Sequence, residues 1–235
     1  MTLNLLQQKN GYRYNSDSLI LYDFISSFSL KGSLLEIGSG CGIVGLLLKR
    51  DFVHIDLTQI ELQADQALIN EQNAQANALD TSVLVGNFLE YVNEQKFDFI
   101  VSNPPFYTQG AKMSESSSLA MCRHQSYLPL DAMLTKISQI IKPRGSFIFC
   151  YDAKQIDVVL TSLITHKFKL ETLRFVHAKQ NSEAHLMLLH VKKSSRSLVR
   201  VLPPLFLHDI YDKQSEEITN IYKKSNTMSQ EWSNY

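Results

Sequence analysis

The sequence predicts an α/β fold with a doubly wound, mostly parallel sheet, and three observations carry that expectation. Short apolar runs alternate with stretches of helical length and pattern over most of the chain. A glycine cluster, Gly38-Ser39-Gly40-Cys41-Gly42, follows one such run and opens an apolar helix, so a flexible backbone turn meets a helix N-terminus at a strand end. The chain has 235 residues, 44% hydrophobic and 20% charged, enough for one domain with a full α/β core.

The elements follow in order. An apolar helix is expected over 19–28, with Ser16 or Asp17 as its N-cap. Residues 33–37 read as a strand, and the apolar stretch from Ile43 to Leu48 as a helix ending near Lys49-Arg50. A second strand is expected over 52–57 and on toward Ile60, and the Ala-, Gln- and Leu-rich segment 62–78 reads as a long helix. Strands are expected at 82–85, 97–101 and 146–151. Between the last two lie a polar loop, 107–127, and an amphipathic helix over 130–141, stopped by Pro143 and Gly145. A helix at 156–165 precedes two β-like runs, 169–177 and 185–192. The tail after Arg200 is expected to cover part of the sheet, with 225–235 fraying. One domain is expected overall: a segment and helix over 1–30 packed on the core, the core over 31–205, and a tail over 206–235.

Composition excludes several classes. The opening residues lack the apolar core of a signal peptide, and no stretch reaches membrane-spanning length; a cytoplasmic location and no membrane partner are expected. Three scattered cysteines (Cys41, Cys122, Cys150) form no CxxC pair and read as reduced thiols. The histidines show no ligand spacing with cysteines or acids, so no metal is expected. Net charge is zero, yet residues 51–100 hold nine acids against one base and residues 166–200 eight bases against two acids. Such unevenness fits a surface facing a polyanion or a solvated basic face equally well.

Asn103-Pro104-Pro105-Phe106 follows the apolar run Phe97-Asp98-Phe99-Ile100-Val101. The prolines cannot continue a sheet ladder, so the chain leaves the sheet at Asn103. This puts a polar amide at the carboxyl end of a strand, where open α/β sheets bind ligands. The Asn103 oxygen and the Pro104 carbonyl offer two acceptors to one planar amino group, and Phe106 offers a ring to stack on its base. A strand-ending turn would use the same residue types, and the tetrapeptide alone leaves both readings open.

The glycine loop fits two frames. Gly40-Cys41-Gly42-Ile43-Val44-Gly45 matches the dinucleotide GxGxxG pattern, a weak signal by itself. Glu36-Ile37-Gly38-Ser39-Gly40-Cys41-Gly42 matches the acidic-x-GxGxG loop of S-adenosylmethionine enzymes. A carboxylate there attracts an α-ammonium and repels a pyrophosphate, which favours the second frame. Glu61, near the end of the second strand, can accept from both ribose hydroxyls, and also suits a helix N-terminus. Asn87 and Phe88, after the third strand, are placed to meet a cofactor adenine, with Phe88 equally suited to plain core. Tyr14, Ser16 and Asp17 are expected over the cofactor mouth, a role compatible with capping. No Ser-His-Asp, Cys-His or paired-carboxylate arrangement stands out, in keeping with a reaction that chiefly needs alignment.

Taken together, these motifs resemble the class I S-adenosylmethionine-dependent amino methyltransferases. More narrowly, they resemble the bacterial family that methylates the adenine beside the anticodon of valine tRNA. The matching stretches are 13–21, 35–42, Ile60-Glu61-Leu62, 97–106 and 130–149. The resemblance implies a Rossmann-like methyltransferase sheet, mostly parallel with an antiparallel last strand, which suits the two closing β-like runs. It implies S-adenosylmethionine as cofactor, with Asn103, Pro104, Pro105 and Phe106 as the catalytic set. Cofactor contacts are implied for Tyr14, Ser16, Asp17, Glu36, Gly38, Ser39, Gly40, Cys41, Gly42, Glu61, Leu62, Asn87, Phe88 and Asn103. Asn87 stands where the superfamily often has Asp. Lys112, Arg123 and His124, in the loop after the tetrapeptide, become candidate tRNA contacts, and the protein is expected to act as a monomer or weak dimer. An rRNA guanine or a protein glutamine is an alternative acceptor. Too few residues precede the first strand for the glutamine enzymes' helical domain, and only one copy of the domain is present, unlike many guanine enzymes. A non-catalytic S-adenosylmethionine-binding RNA module has no need of Asn103. An NAD-dependent oxidoreductase is disfavoured by Glu36.

Overall fold

The computed structural model describes residues 1–9, 13–92, 95–105 and 128–232. Strands β2 (Gly32–Ile37), β3 (Ile55–Glu61), β4 (Ser82–Val85), β5 (Phe97–Ser102), β6 (Ile141–Asp152), β7 (Phe168–His177) and β8 (Ala184–Lys193) build the main sheet. The short β10 (Leu205–Phe206) extends it, in the order β10-β7-β8-β6-β5-β2-β3-β4, and β9 (Arg200–Val201) also pairs with β7. Pairing is parallel from β4 to β6, while β8 inserts antiparallel between β6 and β7. That is the doubly wound, mostly parallel sheet expected, with the antiparallel strand in the second of the two closing runs.

Helices cover both faces. Along β8, Lys193 donates to the Ser138 carbonyl of helix α4 (Leu130–Ile140), 2.6 Å away. Three residues earlier, and so on the opposite face, His190 packs on Phe28, just beyond helix α1 (Ser16–Ser26), with 4.4 Å between ring centroids. Helix α2 (Ile43–Asp51) packs on α1, and α5 (Ile156–Thr165) lies against α4 and β7. Strands β2 and β6 are buried over most of their length, which is why they read as continuous apolar runs.

Several boundaries differ from expectation. The N-cap of α1 is Asn15, whose side chain accepts from Asp17 N at 3.1 Å, so Ser16 and Asp17 are first-turn residues. Residues 52–54 turn before β3, with Ile55 N donating to Phe52 O. Helix α3 spans Ala64–Ala76, shorter than the 62–78 pattern. The chain passes from Ile140 directly into β6, so Pro143 and Gly145 do not stop the helix. They sit in irregular strand, beside Arg144 at φ 65° and a register shift against β5, where a missing N–H costs little.

As far as Trp232, where the described residues end, the tail is ordered into a helix and a strand where fraying was expected. Helix α6 (Glu216–Ser225), capped by Ser215, leads into β11 (Thr227–Trp232), which pairs in parallel with β1 (Leu3–Gln8). The free edge of β1 is held by side chains of α3 and its C-cap, Asn77. Asn73 exchanges hydrogen bonds with Leu6 N and O at 2.6 and 3.1 Å, and Asn77 with Asn4 N and O at 2.9 and 2.7 Å. Four helical residues rise ~6 Å and two strand residues ~6.6 Å, so the two periodicities match.

Candidate active site

The sheet register brings the site together. Ile37 pairs with Ile60 on one side and with Ser102 on the other. The next residues along the three strands are Gly38, Glu61 and Asn103, side by side at the carboxyl ends. Chain order reverses between β2 and β5, so this row lies at the topological switch point of the sheet. A cleft opens there, lined by Gly38, Gly40, Glu61, Leu62, Gln63, Gly86, Asn87, Phe88, Asn103, Pro105 and Leu128 together with Ile37 and Ile60.

The glycine loop takes positive φ at Gly38 (67°), Gly40 (53°) and Gly42 (89°). A Cβ on Gly42 would collide with the Asn70 amide, whereas one on Gly38 would point into open space. Gly42 thus serves packing, and Gly38 keeps the loop's outer side clear for a ligand. Gly38 N and Ser39 N both donate to Ile60 O, at 2.9 and 3.2 Å. Helix α3 holds the loop from behind: Asn70 Nδ2 donates to Ser39 Oγ at 3.0 Å and Asn73 Nδ2 to Cys41 O at 2.9 Å. Ser39, Cys41 and Gly42 therefore support the cleft without lining it. Burial pushes the Cys41 thiol up to about 12. The asparagines at 70, 73 and 77, at helical spacing, are a signal that the sequence reading missed.

Glu36 requires a correction. Its carboxylate does not line the cleft, so it does not face an ammonium there as expected. It turns inward beneath the loop, where Oε2 accepts from Gly45 N at 3.0 Å and Gln59 Nε2 at 2.6 Å. A Cβ on Gly45 would strike that carboxylate, so the glycine makes room for the acid. Burial pushes the Glu36 carboxyl up to about 7, against the pull of these donors.

Glu61 does line the cleft. Oε2 accepts from Gly40 N at 2.7 Å and Oε1 from Gln63 N at 2.9 Å, which ties the strand end to the loop. Burial raises its pKa, and the Gln63, Gly40 and Leu62 N–H groups oppose the rise. A carboxylate has about four lone-pair sites, so capacity remains for a further donor from the cleft. Asn87 caps the short 3₁₀ turn Phe88–Glu90: its Oδ1 accepts from Leu89 N at 3.0 Å, and its Nδ2 donates to Glu90 Oε1 at 3.1 Å. Phe88 is buried and forms part of the cleft wall.

Asn103 is held by two buried residues. Its Nδ2 donates to Ser18 Oγ at 3.2 Å, and its Oδ1 accepts from Cys150 Sγ at 3.0 Å. Burial first, and the nearby Asp17 second, push the Cys150 thiol well above its ordinary range, so it stays protonated as a donor. Asp17 is itself raised by burial, opposed by Asn15 and His185. Pro105 lines the cleft, and Pro104 is buried next to it in the chain. Tyr14, Ser16 and Asp17 do not line the cleft, contrary to expectation; Tyr14 and Ser16 border a second cavity with Tyr222 and Lys223. The Tyr14 hydroxyl reaches Thr227 Oγ1 and Ser229 Oγ on β11, which draws its ring to the C-terminal strand. Phe106, Lys112, Arg123 and His124 lie outside the described residues. Among the described residues no His, Cys, Asp or Glu cluster could hold a metal, and no helix is long and apolar enough to cross a membrane.

A carboxylate, an open glycine backbone, an aromatic wall and a fixed amide thus converge on one cleft. They can hold a hydroxyl-bearing ligand and orient an amine. Comparison with known proteins gives this cleft a context. A family model described as methyltransferase small domain matches residues 15–138. A tRNA1(Val) (adenine(37)-N6)-methyltransferase of Porphyromonas gingivalis is 27% identical over 157 residues, covering 64% of this chain and 56% of that protein's length. A predicted O-methyltransferase of Agrobacterium tumefaciens superposes with a TM-score of 0.70 at 14% identity, covering 91% of this chain and 99% of that one. The T. thermophilus 16S rRNA N2 G1207 methyltransferase, solved with AdoMet and guanosine, gives 0.56 at 21% identity, over 79% of this chain and 45% of that one.

Proposed function

The chain belongs to the methyltransferase small domain family, as a class I S-adenosylmethionine-dependent methyltransferase, and from that premise we propose that it methylates the exocyclic amine of an adenine in a tRNA anticodon loop. The observation that carries the reading is the state of the Asn103 amide. Of its two oxygen lone pairs and two N–H bonds, one of each is spent on Cys150 and Ser18. The remaining lone pair, at the rim of the cleft, is suited to accept one N–H of an amine.

The cofactor's fit rests on the site itself: Gly38 leaves space on the loop, Glu61 keeps acceptor capacity and Phe88 offers an apolar wall. We assign Glu61 to the ribose hydroxyls, Gly38 and Gly40 to close backbone approach, and Leu62, Asn87 and Phe88 to the adenine surroundings. When bound, S-adenosylmethionine supplies a methyl group activated by a sulfonium. Asn103 and the Pro104 carbonyl then hold both N–H groups of the acceptor amine. This draws its lone pair out of conjugation and fixes its direction, each bond contributing roughly 1 kcal/mol or more. Glu36 and the stripe formed by Asn70 and Asn73 keep the loop in shape. On this reading the catalytic domain spans 31–205, and β1 and β11 fasten the flanking segments to it.

Adenine is supported by the name of the P. gingivalis relative, and an unpaired loop base is cheap to extrude. A guanine amine in rRNA is the second reading, favoured by the likeness to the T. thermophilus enzyme. The test is incubation with labelled S-adenosylmethionine and total tRNA and rRNA lacking the modification, followed by nucleoside mass spectrometry. N6-methyladenosine in tRNA is expected. Methylguanosine in rRNA would move the assignment to the second reading, and no product in either RNA would reject both.

A further inference from the structure

On the reading that the substrate is RNA, we propose that the cavity between the start of α1 and the α6–β11 turn binds the nucleotide adjoining the target base. It is a shallow, solvent-open cavity of about 570 Å³. Its walls carry the chemistry of a nucleotide site: two half-buried tyrosines, Tyr14 and Tyr222, the amide group of Asn226, and the ammonium of Lys223.

The walls are held in place. The Tyr14 hydroxyl is tied to Thr227 and Ser229, at 3.2 and 3.0 Å, and the Tyr222 side chain is hydrogen-bonded to Ser16. With their hydroxyls engaged, the rings are left to serve as stacking surface, a sequence-tolerant way to hold a base. Lys223 is exposed and, among the described residues, has no ion-pair partner. Its neighbour Lys224 is spent on Asp23 at 2.8 Å and lies 5.2 Å from the centroid of the Tyr22 ring. Lys223 is therefore free to take a phosphate.

Position links this cavity to the amine site. The first turn of α1 presents Ser16 and Leu19, on one helical face, to the cavity, and Ser18 to Asn103. The two sites are separated by one helix, ~10 Å across, a distance a splayed single-stranded neighbour can bridge. The phosphate is assigned to Lys223 and the base to the Tyr14 and Tyr222 rings.

The test compares wild type with Lys223→Ala and Lys223→Glu on the unmodified anticodon stem–loop of tRNA1(Val). Lys223→Glu should raise KM for the hairpin about tenfold, the size of one charge-assisted contact, while kcat, cofactor affinity and melting temperature stay at wild-type values. For Lys223→Ala the slope of log KM against log salt should shrink by about 0.7, one phosphate contact to a single strand. Hairpins carrying 5-iodouridine on either side of the target adenine should cross-link to Tyr14 or Tyr222. Unchanged KM and salt slope, or cross-links confined to other segments, would overturn the subsite while leaving the RNA reading intact. No methylation of the hairpin or of bulk RNA by wild type would instead reject the reading on which the subsite rests.

Discussion

The Cys150 thiol donates to Asn103 Oδ1 across 3.0 Å, so a fully buried cysteine on the central sheet fixes the direction of the amide proposed to hold the substrate. With Ser18 on the amide nitrogen, this leaves the Asn103 plane little freedom to rotate. Pre-positioning of this kind lowers the cost of ordering the site at each turnover. Cys150→Ala should therefore lower kcat about five- to tenfold, the equivalent of one hydrogen bond, with cofactor affinity unchanged. Cys150→Ser, which keeps a donor, should restore most of the rate. Steady-state kinetics with calorimetric cofactor titration tests the pair, and equal rates in the alanine and serine variants would remove the hydrogen bond from the account.

Glu61 joins cofactor binding to loop shape. Glu61→Gln replaces an acceptor by a donor that faces the N–H groups of Gly40 and Gln63. The dissociation constant for S-adenosylmethionine should rise roughly 10- to 100-fold, the scale of a hydrogen bond to a charged group. Because burial raises the Glu61 pKa, wild-type affinity should also fall on acidification as the carboxylate is protonated. The variant should lose that dependence, as calorimetry across a pH series will register.

Glu36 makes stability depend on pH. Its carboxyl is pushed from 4.5 up to about 7 by burial, so between those values the folded protein holds a proton that the unfolded chain has released. Stability must then fall as pH rises through this window, by up to ~1.4 kcal/mol per pH unit from this group. Below the window the contribution is fully present, and above it the loss is complete. Glu36→Gln should flatten this slope in urea unfolding curves of the cofactor-free protein; an unchanged slope would assign the titration elsewhere.

Asn73 carries three hydrogen bonds at once, to Leu6 N, Leu6 O and Cys41 O. Asn73→Ala leaves these backbone groups without their partner, the Cys41 carbonyl in a buried setting and the Leu6 groups in a part-buried one, and should destabilise the fold by roughly 2–4 kcal/mol. Since the same side chain braces the glycine loop, cofactor binding should weaken in parallel. Chemical denaturation and a binding titration on one preparation measure both effects.

What could be read from the chain depended on whether local rules governed the feature. Asn103 was legible because two prolines force the chain out of the sheet at that point, and Glu61 because the end of a strand beside a glycine loop has few other uses. Glu36 was recognisable as part of the loop, but its direction was not: an acid at that position can face the cleft or the interior, and only Gly45 and Gln59 decide. Asn70, Asn73 and Asn77 look like ordinary helix-surface polar residues until β1 and the loop lie against them. Strand β11, Thr-Met-Ser-Gln-Glu-Trp, lacks an apolar alternation, and its partner β1 lies at the other end of the chain. No short-range pattern reports such a pairing.

The most direct test of the central claim is single-turnover methyl transfer by Asn103→Ala at saturating cofactor. The account predicts cofactor affinity within about twofold of wild type and methyl transfer reduced at least ~100-fold, the combined loss of amine orientation and of a bond that strengthens in the transition state. A variant that methylates at the wild-type rate would contradict it.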